Sequence, residues 1–246
     1  MHISMAVILA AGRGTRLAGA GLAVPKGLVE IGGEALVGRS VRLLKARGIS
    51  DVLIVTGHQS NLYDTFAGER PGVRCIYNKK FDVLGSLESL RCVLPAATAP
   101  FLLLDSDILY ESRGLDALIA QSAPNGVLVS GLTGSGDEYY AWGNNAGNIR
   151  YLSKSLDAQG EPPAGEHVGI ITVGEDLRNA LLASAPTWLR DNPMDSYEML
   201  LVEHLASHPV RNVYVPDLLW SEIDNMEMLA TARDVIWPGL VALGDT

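Results

Sequence analysis

Apolar and polar positions fall into alternating blocks through the first hundred residues of this 246-residue chain. Met5–Ala10 is apolar throughout and reads as a buried strand. Residues 36–47 carry Val41, Leu43 and Leu44 in a helical pattern, and residues 52–56 contain Val-Leu-Ile-Val, the unbroken apolar run of a strand covered on both faces. A helix over 59–67, a strand over 73–77, a helix over 86–94 and a fully apolar strand over 101–104 follow. This alternation predicts an α/β fold, with a mostly parallel sheet flanked by helices and right-handed crossovers.

Past Gly131 the segments shorten. Gly134-Ser135-Gly136 and residues 157–165 read as loops around a small β excursion. Helices over 176–185 and 196–207, a strand over 213–215 and a helix over 226–235 close the chain. No repeat or linker interrupts it, so one domain over residues 1–246 is expected, long enough to bury a good core.

A net charge of −9 argues against general nucleic-acid binding, which runs on clustered Lys and Arg. No stretch approaches the roughly 18 apolar residues of a membrane span. The first residues run straight into a strand and a glycine loop, so no signal peptide is expected, and a cytoplasmic protein with no membrane partner follows. Cys75 and Cys92 lack metal-ligand spacing and read as small buried hydrophobes in a reducing compartment.

The basic residues that matter are local. Ala10-Ala11-Gly12-Arg13-Gly14-Thr15-Arg16-Leu17 follows the first strand, with Pro25-Lys26 behind it. Glycines let a backbone approach a phosphate closely, successive N–H groups form an anion-binding concavity, and Lys26 can add a point charge. Leu17 stands where the dinucleotide fingerprint needs its third glycine, and no Gly-Lys-Ser/Thr triplet completes a P-loop.

Acidic residues form two groups. Asp105-Ser106-Asp107 ends the 101–104 strand, where alternation would aim both carboxylates at one site at the ligand-binding end of the sheet. Glu222-Ile223-Asp224 repeats the spacing with Ile223 turned inward. Such hard oxygen donors suit Mg²⁺, although Asp105–Asp107 could also be a solvated turn and Asp224 a helix cap.

Gly12, Gly14, Arg16, Pro25 and Lys26 together resemble the signature of the nucleotidylyltransferases, in particular the bacterial choline-phosphate and 2-aminoethylphosphonate cytidylyltransferases. Residues 77–81, Tyr-Asn-Lys-Lys-Phe, and the Ser86-Leu87 helix start are similar to further segments of that family, which often has an Asn pair where this chain has Gly85-Ser86. The resemblance implies a single Rossmann-like nucleotidyltransferase domain. It would be Mg²⁺-dependent and use CTP to place CMP on a small phosphonate or phosphate ester, with release of pyrophosphate.

Matched residue by residue, the resemblance implies catalytic roles for Lys26 and Arg16. It implies nucleotide binding by Ala10, Ala11, Gly12, Arg13, Gly14, Thr15, Arg16, Lys26, Ser86 and Asp105, and Mg²⁺ on Asp107 and Asp224. The acceptor would meet Trp142 from Asp137-Glu138-Tyr139-Tyr140-Ala141-Trp142, Tyr197 from Ser196-Tyr197-Glu198, and Glu88, which could equally be a solvated helix residue. Gly85-Ser86 favours an alternative, a sugar-1-phosphate nucleotidylyltransferase using UTP or dTTP. An inactive nucleotide-sensing subunit would keep the same fold, and a homodimer would be unremarkable.

Overall fold

The computed structural model describes residues 2–19, 21–97, 100–136 and 138–246. Its first half runs β1 (Met5–Ala10), α1 (Thr15–Gly19), the short pair β2 (Glu30–Ile31) and β3 (Glu34–Ala35), and α2 (Leu36–Ala46). Then come β4 (Asp51–Thr56), α3 (Ser60–Gly68), β5 (Val73–Tyr77), α4 (Ser86–Val93) and β6 (Phe101–Asp105). The second half holds β7 (Ile108–Tyr110), α5 (Arg113–Ala120), β8 (Gly126–Ser130), β9 (Tyr140–Gly143), β10 (Ile149–Ser153) and β11 (Gly165–Val173). It closes with α6 (Glu175–Asp191), α7 (Tyr197–His204), β12 (Arg211–Tyr214), β13 (Trp220–Glu222), α8 (Met226–Thr231) and α9 (Trp237–Leu243).

The main sheet is ordered β12-β8-β11-β6-β1-β4-β5, and β9 and β10 branch from the start of β11. Strands β6, β1, β4 and β5 are parallel, while β11 runs antiparallel to both its neighbours. Alternation along β1 divides the core: Met5, Val7 and Leu9 enter one layer, Ala6, Ile8 and Ala10 the other. From β1 the chain first builds outward to β4 and β5, then crosses back to β6. The strand order therefore switches between β1 and β6, the place where open α/β sheets leave a crevice.

A third apolar cluster holds the loops around that crevice. Leu17 from the glycine loop, Leu109 from β7, Ile223 after β13 and Leu229 and Ile236 from the C-terminal helices pack together. Each such side chain contributes about 1.5–3 kcal/mol when fully buried. Burial of Leu17 and Ile223 thus draws the segments bearing Arg16 and Asp224 into one place.

Several elements differ from the sequence expectation. Strand β11 lies where only the end of a loop was expected, because Gly165, Glu166, His167 and Gly169 break an otherwise apolar run. Helix α6 continues through Pro186 to Asp191, carried by a buried stripe of Leu177, Leu181, Ala185 and Leu189. The last helix does not end near 235: a π-helical turn over Ala232–Ile236 passes directly into α9. Among the described residues no helix is long and apolar enough to cross a membrane.

Candidate active site

At the switch point β1 and β6 stand side by side with Leu9 opposite Asp105. The glycine loop leaving β1 is thereby placed beside the acidic turn leaving β6. Gly14 adopts φ +57°, a left-handed conformation that favours glycine, and a Cβ there would stand 3.1 Å from Lys26 Cγ. Gly12 differs. Its φ is ordinary, and an added Cβ would meet no heavy atom within 4 Å. Nothing in the protein's own packing requires glycine at that point, so the space it leaves belongs to the cleft.

The two acidic segments meet through a strand pair. Strands β7 and β13 are antiparallel with Glu222 opposite Ile108, and Ile223 N–H donates to the Asp107 carbonyl at 2.8 Å. Ile223 is fully buried, which turns Glu222 and Asp224 the other way. Strand β6 itself ends at Asp105, so Asp107 reaches the cleft through a turn rather than by strand alternation.

Carboxylate oxygens of Asp107, Glu222 and Asp224 all lie within 4.8 Å of one another. Lys26 Nζ donates to Asp107 at 3.0 Å and also pairs with Asp224, to which the Arg16 guanidinium donates as well. Burial, with the Asp107 charge adding and Lys26 opposing, pushes the Glu222 carboxyl up to about 8. Three clustered carboxylates sharing few cations form a donor set suited to a hard divalent ion such as Mg²⁺. The capping residue of α8 is Asn225, whose side chain accepts from Met228 N–H, so Asp224 is not occupied as a cap.

Deeper in the cleft stands a second group. Tyr197 Oη donates to Asp105 at 3.0 Å and lies 3.1 Å from His167 Nε2, and Asp105, His167 and Glu198 place ligand-type atoms within 4.8 Å of one another. A β-bulge in β11 makes room for this arrangement. Gly169 has φ +83°, and a Cβ there would come within 2.8 Å of the Asp105 carboxylate. Burial raises the Asp105 carboxyl well above its ordinary range, with Glu198 and Asp107 adding to the effect, and burial also raises Glu198. The same burial lowers His167 to about 4 and so keeps it neutral.

The other expected residues divide. Ala10, Ala11, Gly12, Gly14, Lys26, Ser86, Asp105, Asp107 and Tyr197 line the cleft. Arg13 on the loop and Thr15 at the start of α1 are exposed outside it, and Arg16 reaches the edge through its pairing with Asp224. Ser86 Oγ accepts from Tyr197 N–H at 3.4 Å. Gly85 is glycine because a Cβ would overlap the Met194 and Asp195 carbonyls, so the Gly85-Ser86 step reflects a close backbone approach between the starts of α4 and α7.

Two expected acceptor contacts lie elsewhere. Glu88 is buried on α4, where its carboxylate accepts from Arg91 Nε at 2.6 Å and Nη2 at 2.8 Å. The i,i+3 spacing satisfies it locally, away from the cleft lining. Trp142 is 1% exposed beneath the β excursion, its Nε1–H donating to the Glu161 carbonyl at 2.9 Å and its ring packed near Tyr140 and Tyr151. Asp137, grouped with these residues in the sequence, lies outside the described residues.

The cleft wall is completed by Tyr139, Lys154, His167 and Glu198. Tyr139 Oη shares a 2.7 Å hydrogen bond with Ser196 Oγ, and Lys154 Nζ stands 5.4 Å from the Tyr139 ring centre. Sequence reasoning missed His167 and Lys154. The apolar run Val168–Val173 could have marked β11 and with it the histidine at its bulge, whereas a lysine after a half-buried strand carries no signal by itself.

The model of the MobA-like NTP transferase domain matches residues 6–236 of the chain. Among curated proteins, the chain is 29% identical over 176 residues to the bifunctional protein GlmU of Trichlorobacter lovleyi, a match covering 68% of the chain and 37% of GlmU. It is 36% identical over 88 residues to the choline-phosphate cytidylyltransferase of Streptococcus pneumoniae, covering 36% of the chain and 38% of that enzyme. To the mannose-1-phosphate guanyltransferase of Gibberella zeae it is 28% identical over 111 residues, covering 43% of the chain and 30% of the relative. These sequence matches thus span well under half the length of each of these relatives. In fold it is similar to the solved CTP:phosphocholine cytidylyltransferase of Streptococcus pneumoniae, with a TM-score of 0.78 at 17% identity over 96% of the chain and 99% of that structure.

Proposed function

The chain belongs to the MobA-like NTP transferase domain family, and from that premise we propose that it transfers CMP from CTP to a small phosphate or phosphonate acceptor, releasing pyrophosphate. The observation that carries this reading is the convergence at Lys26. Its ammonium stands between Asp107 and Asp224, so that three separate segments meet there; in the glycine loop beside it Gly14 leaves room for the Lys26 side chain and Gly12 leaves open space in the cleft.

In this reading an anionic oxygen of the acceptor attacks the α-phosphorus. The new P–O bond forms as the bond to the β-phosphate oxygen breaks, and the electron pair leaves on pyrophosphate. That oxygen is already ionised, so the reaction needs no catalytic Ser, Cys or His. Positioning and charge neutralisation are what the protein must supply. The glycine loop with Arg16 holds the departing β- and γ-phosphates, and Lys26 places positive charge at the α-phosphate. Asp107, Glu222 and Asp224 would hold Mg²⁺, which when bound neutralises and orients the phosphate oxygens.

Cytosine as the base is supported by the resemblance and by the cytidylyltransferases among the relatives. The test is pyrophosphate release with Mg²⁺ and each of the four nucleoside triphosphates, against small phosphates, phosphonates and hexose 1-phosphates. Turnover with CTP and a small phosphate or phosphonate is expected. Turnover confined to a hexose 1-phosphate with another triphosphate would move the reading to sugar activation. Triphosphate binding without release would leave a sensing role.

A further inference from the structure

The hydrogen bond from Lys26 to Asp107 joins segments 81 residues apart in the chain. A contact between two polar side chains does not fix its own geometry, so the backbones beneath them have to be held. Gly27 follows Lys26 and Ser106 precedes Asp107, and both of these neighbours are buried. Between them stands Tyr63 of α3. It is 1% exposed, its ring belongs to the core layer that also holds Val37 and Ile54, and it lines the cleft. Gly27 N–H donates to Tyr63 Oη, and the hydroxyl shares a second hydrogen bond with Ser106. The packing is close. A Cβ on Gly27 would come within 2.8 Å of Tyr63 Oη, 2.7 Å of Val37 and 3.0 Å of Ser106 Cβ.

The entry to α3 is held as firmly. Gln59, just before the helix, adopts φ +49°, a left-handed conformation that strains a residue with a side chain. Such strain persists where the surroundings over-determine it, and it gathers near functional sites. Beside it, His58 N–H donates to the Ala11 carbonyl at 3.2 Å, which ties the helix start to the glycine loop. One turn further on, Tyr63 ties the Lys26 segment to the acidic turn. Burial, with the Asp107 charge adding, raises the Tyr63 hydroxyl above its ordinary range, so it stays neutral and keeps its proton for a hydrogen bond. Three segments of the site are thus gauged from the first two turns of one helix.

We propose that Tyr63 is a positioning residue for the transfer: its hydroxyl pins the backbones next to Lys26 and Asp107, and it acts through Lys26 by fixing where that ammonium stands. This rests on the transfer reading above. Misplacing a group by about one ångström can cost up to about a hundredfold in rate, and the charge of Lys26 is needed most as the α-phosphate reacts. Loss of the Tyr63 hydroxyl therefore belongs in kcat and not in binding.

The test is a double-mutant cycle with a second readout at Lys26 itself. With Mg²⁺ and the productive triphosphate and acceptor, Tyr63→Phe, which keeps the ring, should lower kcat at least about tenfold and leave KM for the triphosphate within about threefold. In a Lys26→Ala background the same substitution should change kcat less than about twofold, because the group it positions is gone. Equal losses in the two backgrounds, or an unchanged kcat, overturn the proposal and leave the transfer reading standing. The chain has five lysines, so reductive ¹³C-dimethylation gives a spectrum in which Lys26 is assigned by its absence from Lys26→Ala. In Tyr63→Phe the Lys26 signal should move while those of Lys45 and Lys79 stay, and an unmoved Lys26 signal also overturns the proposal. That spectrum needs no turnover. Where the wild type releases no pyrophosphate with any acceptor, the transfer reading falls, and the Lys26 signal alone decides whether Tyr63 sets that residue. Ser106→Ala removes the other hydroxyl of the pair, should act in the same direction in both readouts, and carries the test where Tyr63→Phe fails to fold.

Discussion

Substituting alanine at Gly12 and at Gly14 should separate stability from function within one loop. At Gly12 the backbone is not left-handed and the new methyl meets no protein atom within 4 Å. Gly12→Ala should therefore be neutral or stabilising by about 0.4–1 kcal/mol, because alanine narrows the unfolded ensemble. The methyl nevertheless occupies the space assigned to a phosphate's close approach, so kcat/KM should fall at least tenfold, or about 1.4 kcal/mol of transition-state stabilisation. At Gly14 the left-handed backbone costs a non-glycine residue roughly 1–2 kcal/mol, and the methyl also presses on Lys26 Cγ from 3.1 Å. Gly14→Ala should thus lose both stability and activity. Urea unfolding monitored by circular dichroism gives the first quantity and pyrophosphate release the second. A Gly12→Ala protein destabilised by more than 1 kcal/mol, or fully active, would refute the assignment of that space to a ligand.

Other outcomes follow from the same geometry. Lys26→Ala should lower kcat more than it raises KM, since its charge is needed most as the α-phosphate reacts; steady-state kinetics showing an unchanged kcat would remove it from that role. Folded His167 titrates near 4 against an ordinary 6.5, so the unfolded chain binds the extra proton first. The stability that this neutral histidine contributes is present above pH 6.5 and is lost as pH falls toward 4, by up to about 3 kcal/mol, levelling off below. Comparing urea midpoints of wild type and His167→Gln across that window checks the sign. Trp142→Phe should cost about 1 kcal/mol through the lost bond to the Glu161 carbonyl while leaving kcat/KM for the acceptor within twofold; a large selective effect on KM would return Trp142 to the acceptor site. Glu88→Gln should likewise weaken the fold through Arg91 and leave acceptor selectivity unchanged.

The alternating half of the chain was legible because its signals are local. Apolar runs such as Val52–Val55 and Phe101–Leu104 are buried on both faces wherever they sit in a sheet, so periodicity alone marks them. The glycine loop was legible for a similar reason, since its glycines and basic residues lie within one short segment. Strand β11 was not, because its bulge, Gly169 and buried His167 make sense only beside Asp105, and Gly165 only against the Ser130 carbonyl.

Glu88 and Trp142 show the same limit from the other side. Residue type made each a plausible acceptor contact. Yet Arg91 one helical turn away satisfies Glu88, and the β excursion folds Trp142 inward onto Tyr140 and Tyr151. The sequence by itself determined that a strand opens into a phosphate-sized loop and that carboxylates follow two later strands. Only the tertiary structure decided which of those groups meet. The distance from Lys26 to Asp224 is set by strand pairing and by the shared burial of Leu17 and Ile223, interactions between segments roughly one hundred to two hundred residues apart.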